Sequence, residues 1–229
     1  MSKTIVVIGF GPGISTAVAD KFSAQGFSVA LVARSPERIA AGVAALKAKG
    51  VAAAAFQADA GDPAAIRAAI GEARSALGPI GAIHWNAFGG NAVGDLLTTD
   101  PAALSSVFDI AVVGLLAAVQ EALPDLKSVK DGAVLVTNGA FGETTPLMDG
   151  LAISLNAVGV GLANAAKHKL VGLLSQRLKD VGVYVGEVMV AGMIKGTVWD
   201  AGGGIEASKV AEKFWELYQA RGDIRARVS

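Results

Sequence analysis

Short apolar runs, rich in β-branched residues, alternate along the chain with longer stretches whose apolar positions recur at helical spacing. The short runs predict strands, and each strand is followed by a segment of helical length. The predicted strands span residues 4–8, 28–33, 51–57, 82–86, 133–137 and 183–190. The predicted helices span about residues 15–25, 36–49, 62–77, 101–123, most of 147–181, and 208–220.

This alternation of strands and helices predicts βαβ units, whose strands run parallel and whose helices cross over the sheet. We therefore expect an α/β fold, with a doubly wound parallel β-sheet and helices on both faces. The 229 residues suit one large domain, and no linker, repeat or low-complexity tract divides them. Residues 1–229 are accordingly predicted to form a single domain.

Composition narrows the range of functions. The 20 Lys+Arg residues equal the 20 Asp+Glu residues, so there is no basic excess to attract nucleic acid or anionic lipid. Hydrophobic residues make up 52% of the chain, which suits a sheet buried on both faces. The apolar stretch 151–166 is below spanning length and is interrupted by polar residues, so we expect no membrane segment. The absence of cysteine and of a signal peptide fits a cytoplasmic protein.

A glycine-rich turn follows the first predicted strand and opens the first predicted helix. It contains Gly9, Gly11, Pro12, Gly13 and Ile14. Glycine at such a turn lets a pyrophosphate approach the backbone N–H groups at a helix N-terminus. The spacing departs from the usual dinucleotide pattern, and an ordinary tight turn is the alternative. Its place after the first strand favours a phosphate-binding turn in a Rossmann-type sheet.

The end of the second predicted strand carries Arg34 and Ser35. Arg34 lies 21 residues after Gly13, where an acidic residue would bind the 2′-hydroxyl of NAD and an arginine suits the 2′-phosphate of NADP. A guanidinium can meet a phosphate through two hydrogen bonds, and the Ser35 hydroxyl can add another. The alternative is a solvated charge at a strand end. We expect NADP as the cofactor.

These residues resemble the short-chain dehydrogenase/reductase family, and the resemblance extends over nearly all of the chain. Gly9, Gly13 and Ile14 match the family's glycine motif, and Ser15 stands in place of its last glycine. Three further segments are similar to family motifs. One lies beside the adenine, one forms the turn after the fourth strand, and one frames the nicotinamide. The cofactor-binding residues that the resemblance implies in these segments are Asp59, Ala60, Asn86, Ala87, Gly192, Ile194 and Thr197.

The chain departs from the family at the catalytic positions. The family's serine after the fifth strand aligns with Gly139, and its asparagine on the preceding helix aligns with Ala111. The family's catalytic tyrosine is absent from the long helix that follows, because the only tyrosines in the chain are Tyr184 and Tyr218. Removing a positioned general acid costs ~10²–10⁴ in rate, so ordinary ketone reduction by the family mechanism is not expected.

Two alignments of that helix remain open. One takes Lys167 as the family's lysine, which puts Ala163 at the tyrosine position. The other counts back without gaps from Gly182, which puts Asn164 at the lysine and Val160 at the tyrosine. The tyrosine is missing in both, and the second alignment loses the lysine as well.

Other polar residues are candidates for the missing chemistry. Asn138 lies near the serine position and can donate hydrogen bonds, and Asn156 or Lys167 is expected to point at the pocket from one helix face. His84 is predicted to be a satisfied core residue, and His168 is predicted to belong to a solvated basic cluster. No His, Asp and Glu residues have metal-ligand spacing, so no metal site is expected.

The remaining expectations concern a lid, assembly and function. Residues 193–206 resemble the family's substrate lid, with Trp199 among glycines, although a surface loop is the alternative. The apolar faces of the two long helices suit a homodimer or homotetramer, as the resemblance implies. Two functions fit. One is NADPH-dependent hydride transfer to a small carbonyl or enoyl substrate by a non-standard site, and the other is a catalytically silent NADP(H)-binding sensor or assembly subunit.

Overall fold

A computed structural model of the chain describes residues 3–89, 93–197, 200 and 202–229. Within these residues the strands form one parallel sheet in the order β3-β2-β1-β4-β5-β6-β7. The order reverses beside β1, as in a doubly wound sheet. The strands are β1 (Thr4–Ile8), β2 (Ser28–Ala33), β3 (Ala53–Gln57), β4 (Ile80–Trp85), β5 (Ala133–Gly139), β6 (Tyr184–Val190) and β7 (Arg225–Val228).

The helices begin where the sequence supplies caps and proline. Three helices begin with a proline directly after a capping residue, which is Ser35, Asp62 or Thr145. The side chain of each capping residue accepts hydrogen bonds from the first turn of its helix. The α-helices are α1 (Ile14–Ser23), α2 (Pro36–Ala48), α3 (Pro63–Leu77), α4 (Leu104–Phe108), α5 (Leu115–Ser128), α6 (Pro146–Ser154), α7 (Val158–Lys179) and α8 (Ala207–Ala220).

Two apolar layers bury the two faces of the sheet. Helices α3, α5 and α7 cover one face with residues that include Ile66, Leu115 and Val171. Helices α1, α2 and α8 cover the other face, where Phe22 and Phe214 are fully buried. The predicted α/β fold, with a parallel sheet between two helical layers, is confirmed.

The predicted helix 101–123 is a composite that runs to residue 128. A 3₁₀ turn (Pro101–Ala103) leads into α4, and a π-helical segment (Asp109–Gly114) joins α4 to α5. A side chain at Gly114 would overlap the carbonyl oxygen of Ala60, so only glycine lets this segment approach the loop after β3. By length and composition alone, Pro101–Ser128 is apolar enough to cross a membrane, but here it packs against α3, α7 and β4.

The predicted helix 147–181 is wrong at its centre, because the chain breaks between α6 and α7. Asn156 adopts a left-handed conformation with φ of +54°, which a regular helix does not accommodate. The short strand β7 was not predicted at all. It contains two arginines in four residues, so it lacks the apolar run that signals a strand.

Candidate active site

The glycine-rich turn joins β1 to α1 in a conformation that needs glycine. Gly9 and Gly13 have φ of +82° and +92°. Ser15, which replaces the family's last glycine, is fully buried, and its Oγ atom lies 2.8 Å from both the N and the O atoms of Gly11. The serine hydroxyl therefore closes the turn by accepting from one backbone group and donating to the other.

The turn approaches the end of β4 more closely than any side chain would allow. A Cβ atom on Gly9 would overlap the backbone of Ala87. Asn86 donates its backbone N–H to Ile8 at 2.8 Å and its Nδ2–H to the Gly9 carbonyl at 3.3 Å. Asn86 Oδ1 is buried and has no hydrogen-bond partner among the described residues. A cradle without side chains and a free buried acceptor fit a polar ligand at this edge.

Arg34, which follows β2, is exposed at the same edge, and its backbone oxygen accepts from Gln57 Nε2 at 3.1 Å. The Ser35 hydroxyl is engaged in the protein itself, because it caps α2 through Arg38 N at 3.3 Å and donates to Glu37 Oε2 at 2.9 Å. Arg38 was missed from the sequence. Its Nη1 atom lies 3.7 Å from where a Cβ on Gly11 would stand, so it reaches across the glycine-rich turn.

The adenine-side residues lie in the loop after β3. Asp59 is exposed and accepts a hydrogen bond from Gly61 N at 2.9 Å through Oδ1. Ala60 is half-buried and lies against Gly114 of the π-helical segment. Because β3 runs parallel to β1, two strands away, this loop lies at the same carboxyl edge of the sheet as the glycine-rich turn.

The segment after β6 packs on the glycine-rich turn. Side-chain methyl carbons of Ile194 and Thr197 lie 3.3 and 3.6 Å from where a Cβ on Gly13 would stand. Ile194 also pairs with Ile205 in an isolated β-bridge, which ties the two ends of the predicted lid together. Trp199 lies outside the described residues. Gly192, at the start of the segment, has Ile205 3.0 Å from its Cβ position.

Asp200 organises the described part of this loop. Its carboxylate accepts backbone hydrogen bonds from Gly196, Gly202 and Gly204 at 2.9, 3.0 and 3.1 Å. These bonds, led by the one from Gly196, lower the pKa of Asp200 from its ordinary value. A charged Asp200 thus holds glycines that would otherwise have wide conformational freedom.

Asn138 lies at the end of β5, but it has no donor left for a substrate. Its Nδ2 atom donates to the Asn164 backbone oxygen at 3.0 Å and to Glu187 Oε1 at 2.6 Å. Its Oδ1 atom accepts from Gly139 N at 3.0 Å. Because an asparagine amide has two N–H donors, both are engaged, and Asn138 positions its neighbours.

The other two candidate catalytic residues, Lys167 and Asn156, have different surroundings. Lys167 is 3% exposed on the inner stripe of α7, and burial lowers its pKa to about 8, an effect that the charge of Glu187 partly offsets. Asn156 is exposed in the turn before α7, where its amide packs against Gly94. It therefore does not share a helix face with Lys167, contrary to the expectation from spacing.

A buried carboxylate that the sequence reasoning overlooked lies beneath Asn138. Glu187 is fully buried in β6, and its Oε2 atom lies 3.1 Å from Arg225 Nε and 2.8 Å from His168 Nδ1. The histidine nitrogen is out of line for a hydrogen bond, so this contact is one of proximity. An acidic residue inside an otherwise apolar strand was the available signal.

The two histidines differ from their predicted surroundings. His168 packs against this buried carboxylate and is not part of a solvated basic cluster. His84 is a core residue as predicted, although only Nε2 has a partner, Thr137 Oγ1 at 3.0 Å. Burial lowers the pKa of His84 to about 3, so the ring is neutral. Among the residues described, no group of three His, Asp or Glu residues is placed to hold a metal ion.

A crevice of about 820 Å³ opens beside α7, away from the glycine-rich turn. Thr144, Thr145 and Gln176 line it together with His168 and Arg225. The Glu187 cluster therefore has a solvent-facing side at this crevice, and its Asn138 side adjoins the end of β5.

Comparisons with known proteins give the family. The sequence model of the short chain dehydrogenase family matches residues 3–149. The 3-oxoacyl-(acyl-carrier-protein) reductase FabG of Staphylococcus aureus is 28% identical over 171 residues, which are 74% of this chain and 69% of that protein. The parallel sheet, its glycine-rich turn and this match define the class: the chain belongs to the short chain dehydrogenase family.

Solved structures have the same fold over the whole chain. The NADPH-bound short chain oxidoreductase of Pseudomonas aeruginosa, described as containing an atypical catalytic center, superposes with a TM-score of 0.85 at 21% identity, covering 100% of this chain and 97% of that one. The short-chain dehydrogenase/reductase of Serratia marcescens gives 0.83 at 22% identity, covering 99% and 96%.

Proposed function

We propose that this protein is an NADP(H)-dependent oxidoreductase that transfers hydride between the cofactor and a small carbonyl or enoyl substrate through a site without the family's tyrosine. The observation that carries the proposal is the side-chain-free cradle at Gly9 and Gly13, with Arg34 and Arg38 beside it. The structural relative from Pseudomonas aeruginosa was solved with NADPH bound, and the curated relative is named a reductase.

The residues present fit NADP(H) in complementary ways. The N–H groups at the start of α1 would hold the pyrophosphate, whose charge the helix N-terminus favours. Arg34 and Arg38 would bind the 2′-phosphate, Asp59 and Ala60 would lie at the adenine, and Asn86 would offer its free Oδ1 acceptor. Ile194 and Thr197 pack over the turn at Gly13. When bound, NADPH supplies the hydride and becomes NADP⁺.

The proton requires a source other than tyrosine. As the acceptor carbon of a ketone gains hydride with its two electrons, the C=O π pair moves to oxygen, which then takes one proton to become a hydroxyl. Burial lowers the pKa of Lys167 to about 8, so its ammonium group still carries a proton at neutral pH. Lys167 or water supplies this proton in the proposed reaction.

Cofactor preference is tested by Arg34→Asp. Removing a guanidinium from the 2′-phosphate and adding a negative charge is expected to raise the Kd for NADPH by about 100-fold. The Kd for NADH is expected to change less than about threefold, as titration of both nucleotides by calorimetry would measure. Arg67→Asp, on an exposed face of α3, is the matched control. Equal weakening of NADPH and NADH by Arg34→Asp contradicts the NADP assignment.

Turnover separates the proposed oxidoreductase from a silent NADP(H) sensor or assembly subunit. The second function is favoured by the absence of the family's hydroxyl groups at Gly139 and on α7. NADPH oxidation measured against carbonyl, enoyl and imine acceptors decides between them. Tight NADPH binding with no oxidation across the panel supports the silent function, and absence of binding by either nucleotide contradicts both.

Assembly, lid and location form part of the same proposal. Leu162 and Leu173 of α7, with Phe108 and Val113 before α5, are exposed apolar residues on the two helices that the family resemblance assigns to subunit contacts. A homodimer or homotetramer covers them.

Residues 193–206 act as the substrate lid in the proposed function. A chain without cysteine suits the cytoplasm.

A further inference from the structure

The end of β5 and the second turn of α7 meet where one residue has no side chain. Gly139 ends β5, and a Cβ atom on it would lie 2.6 Å from Asn164 Nδ2 and 3.9 Å from Asn164 Oδ1. The side-chain amide of Asn164 therefore fills the volume into which a side chain at Gly139 would project. In the family resemblance, that volume belongs to the catalytic serine.

The Asn164 side chain is mostly buried, and its amide has no hydrogen-bond partner among the described residues. Asn164 is 5% exposed. Its backbone oxygen accepts from Asn138 Nδ2 at 3.0 Å, but its side-chain amide makes no hydrogen bond with any residue in the described ranges 3–89, 93–197, 200 and 202–229. The amide is not sealed from solvent, unlike the buried and unpaired Oδ1 atom of Asn86, so its N–H donors are accessible from outside the chain. The amide can therefore donate to a ligand without first breaking a hydrogen bond to the described residues.

The position of the Asn164 amide indicates what kind of ligand it would meet. Gly139 pairs with Val190 of β6, and the chain continues from Val190 to Ile194 and Thr197, which pack on the cradle at Gly13. The amide thus stands at the carboxyl edge of the sheet, where the ligands of a doubly wound fold bind. Asn138 holds the backbone of Asn164, and buried Glu187 holds Asn138, so the backbone that carries the donor is fixed in place.

We propose that the Asn164 side-chain amide donates a hydrogen bond to the carbonyl oxygen of the substrate and stabilises the negative charge that develops there. The inference rests on the oxidoreductase function proposed above. The Nδ2–H bond stays intact throughout the reaction, and the proton that completes the hydroxyl comes from Lys167 or water. A donor that is carried on a fixed backbone and does not titrate suits this task.

The proposal is tested by removing the hydrogen-bond donor from helix α7 and then placing one at the end of strand β5. Ethyl acetoacetate is the probe ketone. Asn164→Ala is expected to lower kcat by about 10²–10³-fold, as for loss of one oxyanion donor, and to leave the Kd for NADPH within about twofold. The double variant Gly139→Ser, Asn164→Ala places a hydroxyl in the vacated volume and is expected to recover at least about tenfold of that loss. Gln176→Ala, an exposed amide on the same helix, is the control.

Unchanged kcat in Asn164→Ala overturns the proposal, as does a double variant no faster than Asn164→Ala. If the alanine variant fails to fold, Asn164→Leu preserves the volume without the donor and gives the same comparison. A wild-type protein that binds NADPH but oxidises it with none of the carbonyl, enoyl or imine acceptors contradicts the proposed function instead.

A readout without turnover keeps the two outcomes distinguishable. The side-chain ¹⁵N–¹H resonances of Asn164, identified by their absence in Asn164→Ala, are followed as ethyl acetoacetate is added to the protein with NADP⁺. A shift of these resonances supports the contact with the carbonyl oxygen even if the protein does not reduce ketones. Unmoved resonances at saturating ketone overturn it.

Discussion

Replacing Gly9 by alanine is expected to lower the free energy of unfolding by about 3 kcal/mol and to weaken NADPH by at least about 100-fold. Gly9 has φ of +82°, a conformation that costs an alanine about 1–2 kcal/mol. Its Cβ would also overlap the backbone of Ala87. The overlap is relieved only if the glycine-rich turn after β1 moves away from the end of β4. That separation opens the cradle on which the cofactor rests, so stability and binding fall together.

Chemical denaturation and NADPH titration measure the two effects. Gly11→Ala is the matched control for folding, because its Cβ would meet only the Arg38 side chain at 3.7 Å and its backbone is not in the left-handed region. We expect Gly11→Ala to change the free energy of unfolding by less than about 1 kcal/mol. A stable Gly9→Ala protein with unchanged NADPH affinity contradicts the proposed position of the cofactor.

Lys167→Met is expected to raise the free energy of unfolding by up to about 3 kcal/mol at pH 7. Burial lowers the pKa of Lys167 from 10.5 to about 8, so below pH 8 the folded protein holds a charged ammonium that solvent would stabilise better in the unfolded chain. Methionine fills a similar volume without this charge. The attraction of Glu187 offsets part of the penalty in the wild type.

The sign of the pH dependence follows from the same shift. Between about pH 8 and pH 10.5 the unfolded chain binds more protons at this site, so wild-type stability rises with pH across that window. In Lys167→Met this rise is expected to disappear, as urea denaturation at a series of pH values would measure. Lys169→Met, at an exposed position on α7, is expected to change stability by less than about 0.5 kcal/mol.

The same variant examines the proton source. If Lys167 supplies the proton, wild-type ketone reduction falls as pH rises through about 8, and Lys167→Met is slower by ~10²–10⁴ and loses that step. If water supplies it, kcat in Lys167→Met stays near the wild-type value while the stability gain remains. A variant that is destabilised at pH 7 contradicts the interpretation of Lys167 as a buried charge.

Local sequence patterns predict most of this fold, because apolar runs and helical periodicity are encoded over a few residues. The strands β1 to β6 and the helical layers follow from them, as does the glycine-rich turn, whose position after β1 is a short-range signal. The failures have long-range causes. The break at Asn156 depends on a left-handed residue, and β7 depends on pairing with β6 through Arg225, which no run of apolar residues announces.

The catalytic end of the site was less predictable for a related reason. Whether Asn138 is a free donor depends on Asn164 and Glu187, which are 26 and 49 residues away in sequence. The sequence identified Gly139 as a missing serine, but only the packing of α7 against β5 revealed that Asn164 fills the same volume. The spacing of Lys167 along the helix made it a candidate, and its burial is the physical cause of its lowered pKa.

The contact between Gly139 and Asn164 has a consequence for how such sites diverge. A side chain from the strand and one from the helix compete for a single volume, so a polar group can be lost from one element and regained from the other without rebuilding the backbone. The glycine leaves room for the amide, because the Cβ atom of a serine at position 139 would push the end of the Asn164 side chain aside. The family's serine and this amide are therefore alternative occupants of one volume, and a clean exchange takes two substitutions, one on the strand and one on the helix.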